Sequence, residues 1–79
     1  MDRYPLSNEY QEQALKNGLE LRAYLRPNTE NMCEDLIVDA LTLGGKPLVR
    51  IIMEDFDVGE ELHAVNAAID IGNERKPKG

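Results

Sequence analysis

The chain has 79 residues, one cysteine (Cys33) and one histidine (His63); a length that suits a single small domain, no internal disulfide and no zinc site exclude the secreted disulfide scaffolds and the small zinc-stapled domains. No run of 18 apolar residues and no basic-then-apolar leader is present, so the expected location is the cytoplasm, without a membrane partner. The net charge of −6 is uneven: residues 1–28 balance, residues 29–61 hold nine acids against Lys46 and Arg50 for a net −7, and residues 62–79 carry +1.

Residues 1–6 read as an unpatterned lead-in. Ser7 is a plausible N-cap, with Glu9 placed where a helix dipole favours an acid. Tyr10, Ala14, Leu21 and Leu25 then recur at spacings of four and seven, beside Leu15 and Leu19, and predict a first helix. Gly18 costs that helix about 1 kcal/mol, and Pro27 ends it by excluding Arg26 from helical geometry. Asn28 or Thr29 caps a second predicted helix with Met32, Cys33, Leu36, Ile37, Ala40, Leu41 and Leu43 on its apolar side, stopped by Gly44-Gly45.

Residues 46–56 are ambiguous. Pro47 suits a helical first turn, and Leu48, Ile51, Ile52 and Phe56 fit one face. Val49, Ile51 and Ile52 are β-branched and allow a short strand over 48–53 as the alternative; helix is preferred because such a strand has no obvious partner. Asp57-Val58-Gly59-Glu60 reads as a capping box that opens a last helix bearing Leu62, Ala64, Val65, Ala67, Ala68, Ile69 and Ile71, with Gly72-Asn73 as its C-cap. The expected architecture is all-α: a compact bundle of three to four short helices over 1–79, frayed at 1–6 and 74–79.

No motif for chemistry survives inspection. Asp55-x-Asp57-x-Gly59 resembles part of a calcium loop, but counted from Asp55 the glycine falls at position 5 and Asn66 stands where the bidentate glutamate belongs. Gly44-Gly45-Lys46 is followed by Pro47, not by the Ser or Thr of a phosphate-binding loop. Cys33 and His63 have no spacing that brings them together, and Cys33 reads as a buried core thiol. A helix-turn-helix across Gly44-Gly45 would present Arg50 alone among Glu54, Asp55 and Asp57, the wrong sign for phosphates. Accordingly, no catalytic residue, metal, cofactor or direct nucleic-acid contact is expected.

What remains is binding. Glu30, Glu34, Asp35, Asp39, Glu54, Asp55, Asp57, Glu60 and Glu61 form the expected partner surface, suited to a protein with a basic face. Tyr10, Leu21, Tyr24 and Leu25 are the expected self-association face, which would support a homodimer. In size, charge and lack of a catalytic set the chain resembles the small acidic inhibitor proteins encoded by phages and mobile elements, anti-CRISPR proteins among them; the resemblance is one of composition. The expected function is a protein-binding inhibitor or adaptor. The alternatives are a homo-oligomeric helical protein holding a small ligand between subunits, or a small transcriptional regulator or antitoxin.

Overall fold

The computed structural model describes residues 2–30 and 32–77. Four antiparallel strands form one sheet in the order β1 (Asp2–Arg3), β2 (Leu19–Asn28), β3 (Cys33–Thr42) and β4 (Pro47–Met53). Helix α1 (Asn8–Lys16) lies between β1 and β2. A 3₁₀ turn (Val58–Glu60) leads from β4 into α2 (Glu61–Arg75). The expected all-α bundle is therefore wrong: its first helix breaks at Gly18, its second is the central strand, and 48–53 is a strand.

The physical reasons lie in particular residues. Gly18 adopts φ +70° and follows the C-cap Asn17, ending α1 by the left-handed geometry that glycine tolerates. Beyond it, Leu19, Leu21, Ala23 and Leu25 alternate with Glu20, Arg22, Tyr24 and Arg26, a period of two that fits a strand with one face on the core. β3 pairs on both sides, Leu36 with Leu25 and Met53, Val38 with Ala23 and Ile51. Its two faces are both buried at Leu36, Ile37 and Val38, so its apolar residues run continuously and imitate helical spacing. β3 is also the partner that the β-branched β4 needs. Gly44-Gly45 forms the β3–β4 hairpin turn, with Gly45 at φ +93° and the Thr42 N–H bonded to the Lys46 carbonyl at 2.9 Å.

Both helices cover the same face of the sheet, α1 on β2 and α2 on β3 and β4. Leu19, Leu21, Ala23, Leu36, Val38 and Ala40 meet Ala14 of α1 and Ala64, Val65, Ala68 and Ile69 of α2 there. Gly72 is not a C-cap: it sits inside α2, and a Cβ there would lie 3.1 Å from Leu19 Cδ1 and 3.2 Å from Ala40 Cβ. The glycine lets the last turn of α2 approach the sheet.

The lead-in is built into the structure. Asp2 and Arg3 pair with Leu25 and Tyr24, the Tyr4 N–H bonds the Ala23 carbonyl, and Leu6 is buried. Of the terminal residues expected to fray, Met1, Lys78 and Gly79 lie outside the described residues. No helix among the described residues is long and apolar enough to cross a membrane.

Candidate partner-binding surfaces

The hairpin topology sorts the charges. β2 and β4 run toward one end of the sheet, where the β2–β3 turn meets the β4–α2 connection; the Phe56 N–H bonds the Glu34 carbonyl at 3.0 Å and ties the two together. Glu30, Glu34, Glu54, Asp55, Asp57 and Glu60 are all exposed on these two segments, which contain no Lys or Arg between Asn28 and Leu62 apart from Lys46 and Arg50 at other places in the fold. At the opposite end, Lys16 closes α1, Lys46 sits in the β3–β4 turn, and Arg75 and Lys76 close α2. Lys76 Nζ donates to the Asn17 carbonyl and Arg75 to the Leu48 carbonyl. A ten-residue strand spans roughly 33 Å, so these bases lie well away from the six exposed acids, although Glu20 and Glu74 share their end and Arg26 lies beside Glu30 and Glu54.

Three of the nine expected partner-binding acids are not exposed and pair with other side chains of the fold. Asp35 is fully buried in the sheet face opposite the helices, accepting from Arg26 at 3.0 Å and from Asn28 at 3.4 Å. Asp39 takes two bonds from Arg50, at 2.8 and 2.9 Å, which push the Arg50 guanidinium above its ordinary value. Glu61 is half-buried and accepts from the Tyr4 hydroxyl at 2.7 Å. That bond, with burial, pushes the Tyr4 phenol up to about 12, and Tyr4 packs edge-on against Phe56.

Three exposed apolar side chains stand among the six outward acids: Met32 in the β2–β3 turn, Val58 in the 3₁₀ turn and Leu62 in the first turn of α2. Met32 is 93% exposed and holds φ +57°, so this turn projects a large side chain into solvent. The sequence reading had placed Met32 on a buried helical stripe. The signal for its exposure was its place in a polar turn, Asn28-Thr29-Glu30 before it and Glu34 after.

The expected self-association residues do not share a face. Leu21 is buried and Leu25 packs on the core beneath the helices, Tyr10 rides on α1, and Tyr24 lies on the far side of the sheet beside Ile37. Cys33 is exposed, not a core thiol. The Asp55 carboxylate accepts its S–H and raises the thiol above its ordinary value. His63 is exposed on α2. Among the described residues no group of three or more His, Cys, Asp and Glu side chains is arranged to hold a metal ion. A shallow groove of about 680 Å³ runs along the outer side of β2, lined by Arg3, Tyr4, Leu6, Gln11 and Arg22; Gln11 reaches the Leu21 carbonyl across it at 3.5 Å.

No family model, curated protein or solved structure matches this chain. The compositional resemblance to phage-encoded inhibitors accordingly gains no support from known proteins.

Proposed function

We propose that the chain is a non-catalytic binding protein that docks its acidic end on a basic surface of a protein partner. The observation that carries this reading is the grouping of Glu30, Glu34, Glu54, Asp55, Asp57 and Glu60 around exposed Met32, Val58 and Leu62. Folding needs only part of that charge. Asp57, Glu60 and Glu61 lie at the start of α2, where the helix dipole favours acids by about 0.3–1 kcal/mol each. Glu34 opens β3, Glu30 lies in the β2–β3 turn and Glu54 follows β4, and none of them stands in the first turn of α2 to gain from that dipole. Interfaces place apolar anchors inside a polar rim, and the three apolar side chains would serve as anchors while the carboxylates steer a basic partner into contact.

The test is comparative capture from host lysate. The chain is immobilised as wild type, as Glu30→Lys/Glu34→Lys/Glu60→Lys, and as Glu12→Lys/Asp70→Lys/Glu74→Lys. The two triple variants change net charge equally, but only the first alters the acidic end. The reading expects a basic-surfaced protein retained by the wild type and by the second variant, and lost by the first. Equal loss from both variants reduces the effect to net charge, and retention by all three removes the acidic end from the function.

A further inference from the structure

β4 is an edge of the sheet, and among the described residues no strand pairs with its outer side. In an antiparallel ladder each residue turns its N–H and C=O to one neighbour, and successive residues alternate. The Thr42 N–H bonds Lys46 and the Glu34 carbonyl accepts from Phe56, so the even-numbered residues of β3 face β4. Their partners in register are Val49, Ile51 and Met53. Arg50 and Ile52 therefore aim their backbone N–H and C=O groups outward, where water or another strand must satisfy them. The first part of this edge is protected by Pro47, by the bulge opposite Ala40 and Leu41, and by the Arg75 guanidinium on the Leu48 carbonyl at 3.2 Å. The stretch from Arg50 to Glu54 has no such cover, and Ile52 in its middle is 48% exposed.

We propose that β4 pairs antiparallel with β4 of a second copy about a two-fold axis through Ile52, joining two four-stranded sheets into one of eight. Charge selects this register. Cross-strand neighbours share a sheet face, so the axis must pass through a residue position that keeps like faces together. An axis at Arg50 sets two arginines against each other. An axis at Ile51 sets Arg50 opposite Ile52 and Glu54 opposite Leu48, whose carbonyl is already bonded. An axis at Ile52 sets Ile52 against its own copy and Arg50 against Glu54 of the second copy, twice by symmetry. Glu54 lies on the same face as Arg50 and Ile52, sharing a shallow hollow with Arg26 and Asp35. Arg50 spends two of its five donors on Asp39 and keeps others for the new carboxylate. The association is isologous, as two-fold contacts are; it shares Glu54 with the partner reading above but not Glu30, Glu34 and Glu60, so the triple variant of those three tests that reading without altering the dimer contact.

Sedimentation from micromolar to several hundred micromolar tests it. The wild type is expected to pass from monomer to dimer mass, and Arg50→Glu and Glu54→Arg alone each to weaken dimerisation at least tenfold. An equimolar mixture of the two variants restores the dimer as a heterodimer, because each now carries like charges that the other complements. Should Arg50→Glu fail to fold beside Asp39, Ile52→Cys in a Cys33→Ser background supplies a second readout: mild oxidation gives a disulfide-linked dimer for a pair on the axis. A wild type that stays monomeric throughout, dimers indifferent to both charge variants, or no cross-link at Ile52 under dimer-forming conditions would overturn the proposal.

Discussion

Replacing Arg26 with Met isolates the carboxylate that the sheet buries. Asp35 has a side chain only 1% accessible, and beyond Arg26 its hydrogen-bond donor is the Asn28 amide, at 3.4 Å to each oxygen. Removing one partner of a buried ion pair costs about 3–5 kcal/mol, whereas an exposed pair contributes about 0–1. Asp35 belongs to the first class and Arg26, with 44% of its side chain accessible, to the second, so the expected loss is about 2 kcal/mol. Urea unfolding of a domain this size has a slope near 1 kcal/mol per molar, which turns that loss into a midpoint lower by about 2 M. Arg50→Met, which uncovers the more accessible Asp39, should cost about half as much when both are measured at low protein concentration. The double variant Arg26→Met/Asp35→Leu should recover most of the loss, because an apolar pair leaves no charge to desolvate. A loss below about 0.5 kcal/mol, or a double variant no more stable than Arg26→Met alone, would refute the reasoning.

Two further outcomes follow from packing and protonation. Gly72→Val forces a branched side chain between α2, Leu19 and Ala40 and should cost about 2 kcal/mol through overpacking, read as a lowered thermal midpoint; an unchanged midpoint would show that α2 does not approach the sheet so closely. The raised phenol of Tyr4 means that the protonated form is the one the fold favours. Its contribution is complete below the ordinary tyrosine value near 10 and is lost as pH climbs through about 12. Wild type should therefore lose more stability than Tyr4→Phe across that window, and the tyrosinate absorbance step missing from Tyr4→Phe should be the one centred near 12.

Parts of this fold were legible. The alternation from Leu19 to Arg26 is a strand pattern, but every second apolar residue of an alternating run falls four positions on and also satisfies a helical count, and Leu21 and Leu25 joined the stripe begun by Tyr10 and Ala14. β3 misled for a different reason: a central strand buried on both faces loses its alternation, and spacing alone does not separate it from a buried helix. Once β3 was read as helix, the β-branched Val49, Ile51 and Ile52 lost the strand they pair with. The final helix was read correctly through Val65 and Ile69, though its boundaries moved. Asp57 caps the 3₁₀ turn through the Gly59 N–H at 3.4 Å, and Gly72 marks a close approach where a stop was expected. The acidity of the middle segment was visible in the chain, but its division was not. Which acids face outward depends on strand parity and register, and these set Asp35 and Asp39 beside arginines while leaving Glu30, Glu34 and Glu54 in solvent.

The central claim, that the acidic end meets a basic partner, is tested most directly by the association rate of the captured partner across a salt series. Steering by exposed carboxylates acts on association more than on dissociation. Glu30→Lys/Glu34→Lys/Glu60→Lys should thus slow association at least tenfold at low salt and flatten its salt dependence, with dissociation changed far less. An association rate that is the same for wild type and variant at every salt concentration would contradict the account.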